Sequence, residues 1–266
     1  MYELAYNRDM ATPSLRSLEK ALVLLGRIVE SGESNSIADL AKQIDMPHST
    51  AYRIAATLER SGLVTRMRRG YYLPGPSLIR LARHDSIPRV LKAIGRPIVK
   101  KLATATGCTV HVGIFENSMV TYLLKAGRSA RTVFTREGTQ LEAYCTGIGK
   151  VLLAALPVAV REEYLKSGPF IQLTANTLTD PQKLRSELIV IGDRGYAEDN
   201  AEMDSDLRCL AVPVRWGEGD VIAAVSISTR SANEDSHALL THLEALRTAA
   251  SLLSNRLTSR STSRTA

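Results

Sequence analysis

The sequence predicts a two-domain α+β protein, and three observations lead to this fold class. Three amphipathic helix patterns and a basic hairpin pattern follow one another within residues 14–75. Pro74-Gly75-Pro76 then interrupts the chain, as adjacent Pro and Gly residues do at a boundary. From Gly107 onward, strand patterns and amphipathic helices are mixed, which is typical of an antiparallel sheet with helices on its faces.

The first helix is predicted over residues 14–31. Its apolar residues recur at intervals of three and four, which predicts that one face of the helix is buried. That face consists of Leu15, Leu18, Leu22, Leu25 and Val29. Gly32 follows at a position where helices commonly end.

Two shorter helices follow, joined by a tight turn. Ser36 is the predicted N-cap of the first of them, with Asp39 three residues later as its capping-box partner. Pro47 suits the first turn of the next helix, because its fixed φ and missing N–H cost nothing there, and this helix is predicted to run to about Arg60. Two such helices packed on a longer one predict a helix-turn-helix, whose second helix enters the major groove of DNA.

The N-terminal half of that second helix carries side chains that suit contact with DNA. Its buried side is predicted to be Ala51, Ile54, Ala55 and Leu58. The residues predicted to contact DNA are Pro47, His48, Ser49, Thr50, Tyr52 and Arg53. Their hydroxyl, imidazole and guanidinium groups can bond to phosphates or base edges, and Arg53 is the natural reader of a guanine. An ordinary polar helix surface is the alternative interpretation.

A hairpin with a cationic turn is predicted directly after these helices. Residues 63–66 and 71–73 have strand patterns, and a turn that contains Gly70 joins them. The arginines of this hairpin are Arg66, Arg68 and Arg69. Arginines at such a tip contact phosphates or a narrow minor groove, so they add affinity and salt dependence more than sequence choice. Residues 14–75 are therefore predicted to form a winged helix-turn-helix that binds double-stranded DNA.

The charge distribution agrees with a polyanionic partner for the N-terminal part. The formal net charge is +7. Residues 1–106 hold 17 basic and 9 acidic residues, whereas residues 107–256 hold 15 basic and 18 acidic residues. Solvated basic helix faces give the same totals, so the charge supports DNA binding only together with the helix-turn-helix pattern.

Beyond the winged domain the sequence predicts a helical linker, residues 76–89, and then a second domain, residues 90–257. A helix is expected from about residue 88 to 105, with Pro97 as a kink. The predicted strands cover residues 109–115, 119–124, 131–135, 207–215 and 221–229. The predicted helices cover residues 149–156, 158–166, 181–194 and 236–257. A Ser/Thr/Arg-rich tail, residues 258–266, is expected to be disordered.

Several classes of protein find no support in the sequence. No apolar run approaches the roughly 20 residues of a membrane span, and the N-terminus has no signal-like apolar centre, so a cytoplasmic protein is expected. Cys108, Cys145 and Cys209 form no CxxC pair, which argues against a disulfide framework and a thiolate zinc site. No cofactor is predicted, and a metal in the second domain stays open.

Two rival functions were weighed against DNA binding with ligand sensing. An enzyme is one, because Cys145 beside His111 or His84 can be imagined as a nucleophile and its base. No nucleophile elbow or HExxH motif accompanies these residues, so no catalytic residues are predicted. An architectural DNA-binding protein without a ligand is the other, and it leaves the acidic second domain without a role.

Five segments resemble the IclR family of bacterial transcription regulators, and together they span nearly the whole chain. Residues 46–53, Met-Pro-His-Ser-Thr-Ala-Tyr-Arg, look like that family's Leu-Pro-Lys-Ser-Thr-x-x-Arg stretch. Residues 144–150, Tyr-Cys-Thr-Gly-Ile-Gly-Lys, look like its Thr-Ala-x-Gly-Lys segment. Its C-terminal signature is matched by residues 195–199, 207–214 and 223–228. The resemblance implies a GAF-like effector-binding domain, a homodimer or dimer of dimers, and control of a nearby catabolic operon as repressor or activator.

The resemblance also implies which residues line the effector pocket. They are Gly147, Ile148, Asp199, Cys209, Ser226 and Ser228. Backbone N–H groups from Thr146 to Gly149 open a helix and form an anion site, so a small organic acid with a carboxylate is the expected effector. Ser226 and Ser228 alternate along a strand and share a face, although a solvent-facing edge has the same pattern. Gly147 stands where the family usually has alanine, which leaves the size of the ligand open.

Overall fold

The computed structural model describes residues 15–84, 87–127, 133–216, 219–230 and 237–258. The chain divides into two compact units between Ser86 and Ile87, inside the segment predicted as a linker. Within the described residues, the first unit contains helices and a two-stranded hairpin, and the second contains a six-stranded sheet with helices. The two-domain α+β fold class is confirmed.

The first unit is a helix-turn-helix followed by a hairpin and a further helix. Its elements are α1 (Arg16–Ser31), α2 (Ile37–Gln43), α3 (His48–Arg60), β1 (Val64–Arg68), β2 (Tyr71–Pro74) and α4 (Pro76–His84). The predicted capping box closes the start of α2. The Ser36 hydroxyl accepts the N–H of Asp39 at 3.2 Å, and the Asp39 carboxylate accepts the N–H of Ser36 at 3.1 Å. Gly32 ends α1 at a φ of +53°, which carries no steric penalty for glycine.

The predicted buried face of α1 is wrong. Four of its five residues are exposed: Leu15, Leu18, Leu22 and Val29. Leu24 and Ile28, which are 0% and 1% exposed, enter the core together with Leu25. The helix carries apolar residues on two sides, and its packing against α2 and α3 selects the second stripe.

The second unit is built on one antiparallel sheet. Its helices are α5 (Ile87–Thr106), α6 (Gly147–Ala155), α7 (Val158–Lys166), α8 (Pro181–Arg194), α9 (His237–Leu240) and α10 (Leu243–Thr258). Its strands are β3 (Thr109–Glu116), β4 (Met119–Ala126), β5 (Gln140–Glu142), β6 (Ala197–Asn200), β7 (Leu207–Trp216) and β8 (Asp220–Arg230). The strand order is β5-β4-β3-β8-β7-β6, and each neighbouring pair is antiparallel.

Two hydrophobic cores lie on the two faces of this sheet. On one face, α5 and α10 cover side chains such as Val112 and Val225. On the other face, α6 packs on β7 and β8 over the small residues Ala211 and Ala224. Because successive side chains of a strand alternate, the residues between the core valines point to the α6 side of the sheet. A cavity opens on that side.

Two short edge strands differ from the sequence prediction. Of the predicted strand at 131–135, residues 131 and 132 lie outside the described residues, and residues 133–135 form no strand. The strand at this edge is β5, which pairs Gln140 with Thr121 of β4. At the opposite edge, β6 was not predicted at all. Each has only three or four residues, too few to show an alternating pattern, and pairing with a longer neighbour makes them strands.

The C-terminal helix prediction also needs correction. The structure has two helices, α9 and α10, where one was predicted over 236–257, and residue 236 lies outside the described residues. At the break the His242 N–H donates to the Leu239 carbonyl at 3.0 Å. No Gly or Pro marks this break, and the apolar periodicity continues across it. The sequence pattern therefore predicts one helix. Residues 259–266, most of the predicted tail, lie outside the described residues, and Thr258 ends α10.

No helix among the described residues is both long enough and apolar enough to cross a membrane.

Candidate functional site

The six residues predicted to contact DNA from the helix-turn-helix lie on one side of α3 and on the turn before it. They are Pro47, His48, Ser49, Thr50, Tyr52 and Arg53, of which Thr50 is half-buried and the others are exposed. Ala51, Ala55 and Leu58 are buried on the opposite side. Ile54, predicted to be buried with them, is half-buried. The helix therefore presents a continuous polar surface at its N-terminal half.

The start of α3 adds backbone donors to this surface. Pro47 is the N-cap, and it makes no side-chain capping bond. The first backbone bonds of the helix run from Thr50 and Ala51 to the Pro47 carbonyl, at 2.9 and 3.0 Å. The N–H groups of His48 and Ser49 precede these bonds, at the positive end of the helix dipole. Such a helix start suits a phosphate oxygen.

The three arginines of the hairpin have different surroundings. Arg66 forms an ion pair with Glu59 of α3 at 3.1 Å, so it is held toward the helix. The guanidinium of Arg68 lies over the ring of Tyr71, 3.9 Å from the ring centre. Arg69 is exposed in the turn between β1 and β2. Arg68 and Arg69 are thus the arginines at the tip.

A basic groove between α1 and α3 is a feature that the sequence analysis missed. The cations along it are Arg16, Lys20, Arg53 and Arg60. Arg16 and Lys20 are four residues apart and therefore share one face of α1. Only the packing of α1 on α3 brings that face beside Arg53. Four cations along one groove strengthen the positive potential of the first unit.

A small cavity in the second unit collects all seven residues predicted to contact the effector. These are Thr146, Gly147, Ile148, Asp199, Cys209, Ser226 and Ser228. The free volume of the cavity is about 10 Å³, about enough for one water molecule, so its walls must move apart to admit a larger ligand. Lining residues that the sequence analysis did not assign to the cavity are His111, Tyr122, Val133, Phe134, Thr135, Leu141, Met203 and Leu207. These residues are spread along the chain, so no local motif joins them.

The register of the sheet explains why four of these side chains meet. Cys209 is paired with Ser228 across β7 and β8, and His111 is paired with Ser226 across β3 and β8. The Ser228 hydroxyl donates to the Cys209 Sγ at 3.2 Å. Both serines are buried, so the solvent-facing strand edge considered for them is wrong.

The start of α6 forms the opposite wall of the cavity. Thr146 is its N-cap, and the Thr146 hydroxyl accepts the N–H of Gly149 at 3.1 Å. The N–H of Gly149 is therefore already bonded, although the sequence analysis counted it in the anion site. Among the described residues no acceptor lies opposite the N–H groups of Gly147 and Ile148. These two donors remain for a ligand.

The two glycines of this segment have different steric requirements. A Cβ at Gly149 would lie 2.1 Å from the Ala143 carbonyl oxygen, which no side chain tolerates. A Cβ at Gly147 would lie 3.4 Å from the Cβ of Ala211, an ordinary van der Waals contact. Glycine is thus required at 149, whereas Gly147 only widens the cavity by about one methyl group.

A buried charged cluster lies behind the cavity. Lys150 and Glu202 form an ion pair, and the Asp199 carboxylate accepts the Glu202 N–H at 2.8 Å. Burial, and then the nearby Glu202, raise the pKa of Asp199 to about 7, while Lys150 acts in the opposite direction. One oxygen of Glu202, Oε2, is buried without a hydrogen-bond partner among the described residues. The sequence analysis missed the roles of Lys150 and Glu202, because nothing local marks them as buried.

His111 lies deep in the cavity and is neutral. Its Nε2 is 2.8 Å from the Thr135 hydroxyl, and its ring packs edge-on against Tyr122. Burial and the positive charge of Lys125 lower the pKa of His111 to about 3. The Lys125 ammonium itself donates to the carbonyls of Val133 and Thr135, at 2.6 and 2.5 Å, and so holds that segment along the cavity.

The Cys-His pair imagined for an enzyme is not supported by its surroundings. Burial raises the pKa of the Cys145 thiol well above its usual value, so the thiol stays protonated. Its Sγ contacts the sulfur of Met203 at 3.5 Å. The side chain of His84, the other base considered, lies outside the described residues. Within the described ranges no cluster of His, Cys, Asp and Glu has the arrangement of a metal site.

Two family models match the chain. The model described as the IclR helix-turn-helix domain matches residues 17–68, and the model described as the bacterial transcriptional regulator IclR C-terminal domain matches residues 88–255. The second match alone covers more than half of the chain.

Related sequences and solved structures give the same result. The chain is 33% identical to the uncharacterized HTH-type transcriptional regulator RhmR of Escherichia coli over 212 residues, which are 79% of this chain and 81% of RhmR. It is 32% identical to the regulator XynR of the same organism over 92% of this chain and 98% of XynR.

Among solved structures, that of Thermotoga maritima IclR is 30% identical, with a TM-score of 0.59 over 91% of this chain and 98% of that one. An IclR homolog from Microbacterium hydrocarbonoxydans, solved in complex with 4-hydroxybenzoate, is 26% identical, with a TM-score of 0.59 over 89% of this chain and 98% of that one.

Proposed function

Because the chain belongs to the IclR family of bacterial transcription regulators, we propose that it controls a catabolic operon in response to a small organic acid. Its relatives are HTH-type transcriptional regulators, and this chain is a DNA-binding regulator rather than an enzyme. The observation that carries the proposed sensing role is the single cavity that unites all seven predicted effector residues. Its place of action is the cytoplasm, where the operator DNA is.

The DNA partner is a double-stranded operator read by α3. Arg53 contacts a base edge in the major groove, while the hydroxyls of Ser49 and Thr50 and the free N–H groups at the helix start contact phosphates. Arg68 and Arg69 contact the backbone beside the major groove, which makes binding salt-dependent. The protein acts as a homodimer or dimer of dimers, so two copies of α3 read the half-sites of an inverted repeat about one helical turn apart.

The effector enters the cavity with its carboxylate toward the start of α6. The N–H groups of Gly147 and Ile148 point from a helix N-terminus and bind the anionic oxygens. Ser226 and Ser228 hold a second polar group of the ligand. A relative binds 4-hydroxybenzoate, which has a carboxylate at one end and a hydroxyl at the other, and an acid of this size requires the walls of the present cavity to move apart.

Regulation follows if the effector prefers one conformation of the oligomer over another. The segment 76–105 joins the DNA-binding unit to the sensor and transmits the preference to the spacing of the two α3 helices. Coupling of this kind is typically worth about 1 to 3 kcal/mol, and only a difference in affinity for the two states can supply it.

The test is a DNA-binding titration with the full-length protein and a fragment of the region upstream of its own gene. Fluorescence anisotropy at low ionic strength measures affinity with and without each of four acids: acetate, pyruvate, benzoate and 4-hydroxybenzoate. We expect specific binding that at least one acid shifts by about fivefold to 150-fold. No rise in anisotropy under any of these conditions would contradict operator binding, and a Kd that none of the acids changes would contradict the acid effector.

A further inference from the structure

We propose that the cavity binds the effector carboxylate against a protonated Asp199, so that binding takes up about one proton. The inference rests on the proposed function, since it requires that a carboxylate enters this cavity. In this proposal Asp199 is a neutral hydrogen-bond donor, and the described residues that line the pocket offer no cation to an anion.

The first argument is the charge balance of the buried cluster behind the cavity. Lys150, Asp199 and Glu202 are 1%, 1% and 5% exposed. One buried ammonium offsets one buried carboxylate, and a second carboxylate without a cation is costly in its ionised form. Lys150 is bonded directly to Glu202. Asp199 is therefore the acid of this cluster that holds a proton most readily.

The second argument is the lining of the cavity. Among the described residues that line it, none is Lys or Arg, and the ring of His111 is neutral. An anion placed beside an ionised Asp199 would meet a like charge in a site of low dielectric constant, where repulsion is strong. A protonated Asp199 removes that repulsion and can donate its O–H to the ligand.

The other ionisable groups around Asp199 do not titrate in its place. Those that face it from the packed elements are Lys150 of α6, Glu202 of the following turn, Cys209 of β7, Tyr122 of β4 and Cys145 before α6, and His111 of β3 lines the same cavity. Burial raises the pKa of the two thiols and of the Tyr122 phenol, so these groups stay protonated at neutral pH. Burial also raises the pKa of Glu202, but its ion pair with Lys150 acts in the opposite direction, whereas the pKa of Asp199 is raised to about 7.

A purely structural role for Asp199 has a different consequence. Its Oδ1 accepts the Glu202 N–H and thereby orders the turn in which Ala201 has a φ of +57°. If this were its whole role, the protonation state of Asp199 would not change when a ligand binds, and affinity would not depend on pH through this residue.

The test is isothermal titration calorimetry of the full-length protein with acetate, pyruvate, benzoate and 4-hydroxybenzoate. Each acid is titrated at pH 6 and pH 8, in buffers of different ionisation enthalpy. These acids are ionised throughout that range, so a proton taken up must go to the protein. The protonated fraction of Asp199 falls from about 0.9 to about 0.1 between the two pH values, which predicts binding about tenfold weaker at pH 8. At pH 8, the change of the observed binding enthalpy with the ionisation enthalpy of the buffer should correspond to uptake of about 0.9 proton per site.

Two variants make the assignment specific. Asp199→Asn cannot ionise but still has an N–H donor, so it should lose both the pH dependence and the proton uptake. Asp206→Asn is the matched control, because Asp206 is an exposed carboxylate that does not line the cavity. This variant should retain the tenfold difference in affinity between pH 6 and pH 8. A pH dependence that persists in Asp199→Asn overturns the proposal.

The outcomes separate this inference from the proposed function. Binding of any of the four acids with equal affinity at both pH values and no proton uptake overturns the role of Asp199 and leaves the acid effector intact. No heat from any acid at either pH counts against the acid effector itself. Should Asp199→Asn fail to fold, the pH titration of the Asp199 carboxyl ¹³C shift in the wild-type protein decides the matter. A midpoint near 7 supports the proposal, and one below about 5 contradicts it.

Discussion

The hydroxyl of Ser228 donates a hydrogen bond to the sulfur of Cys209 across the centre of the sheet, at 3.2 Å. The two residues are register partners on β7 and β8, and both lie in the cavity wall. A buried thiol usually packs as a small apolar group, but here it is one acceptor in a polar wall. Ser228 therefore has a defined orientation before any ligand arrives.

Replacing the serines of the cavity should weaken the response to the effector while sparing operator binding. Ser226→Ala and Ser228→Ala each remove a hydroxyl that the proposed ligand uses, at a cost of about 0.5 to 1.5 kcal/mol per hydrogen bond. The measurement is the dose response of DNA binding to the active acid. Thr229→Ala, at the neighbouring position of β8, is the control. An unchanged dose response in both serine variants would place the ligand elsewhere.

Arg53→Ala should relax the sequence preference of DNA binding. If Arg53 bonds to a base edge, its loss costs about 1 to 3 kcal/mol on the operator and much less on unrelated DNA. Anisotropy titrations on operator and scrambled fragments measure both affinities. Arg27→Ala is the control, because Arg27 lies on α1 in an exposed pair with Glu30. Equal weakening on both fragments would instead identify Arg53 as a phosphate contact.

The double variant Arg68→Ala/Arg69→Ala should reduce the salt dependence of DNA binding. Each lost phosphate contact lowers the slope of log K against log salt by about 0.9, so the pair should lower it by about 1.8. Arg66→Ala is expected to change the slope less, since Arg66 is paired with Glu59. The slope comes from titrations between about 50 and 200 mM salt. Over this range a protein with about six to ten phosphate contacts loses about 10³- to 10⁵-fold in affinity. A slope identical to that of the wild type would exclude the hairpin from the DNA interface.

Gly149→Ala should destabilise the second unit, whereas Gly147→Ala should not. The added Cβ at 149 meets the Ala143 carbonyl, and the backbone must shift at a cost of about 1 to 3 kcal/mol or more. At 147 the Cβ would make an ordinary van der Waals contact with Ala211, so little change in stability is expected. Urea unfolding curves compare the two variants. Equal stability of both would mean that the close approach at 149 is readily relaxed.

His111 should lower the stability of the protein at acid pH. Its pKa is depressed in the folded state, to about 3, whereas an unfolded chain protonates the ring below about 6.5. Between these values the unfolded state binds more protons, so stability rises with pH from about 3 to 6.5 and this dependence ends above that window. Unfolding free energies of wild type and His111→Gln, measured from pH 4 to pH 8, should converge at the acid end. Parallel curves would show that His111 is not buried in its neutral form.

Local sequence signals were sufficient to predict the end of an element wherever the residues at that end cap it. The capping box at Ser36 and Asp39 predicted the start of α2, and Gly32 predicted the end of α1. These signals depend on hydrogen bonds and φ values within a few residues, which the sequence states directly. The short strands β5 and β6 carry no such signal, because their existence depends on a neighbouring strand.

The cavity residues also divide into those that the sequence indicated and those that only the fold brings together. Resemblance to a family indicated six of its residues and the predicted helix start added Thr146, but no local sequence feature joined His111, Tyr122 and Thr135 to them. The exposed stripe of α1 is a second case: periodicity indicated that the helix is amphipathic and left open which of its two apolar sides is buried.

By itself, then, the sequence determined the order and type of the main elements, the winged helix-turn-helix and the family. Only the tertiary structure decided which side of α1 is buried, which arginine of the hairpin is held back by Glu59, and which polar residues share one cavity. The reason is physical. Helix and turn preferences arise from contacts between near neighbours along the chain, whereas strand register and burial depend on distant partners, such as Ser226 for His111.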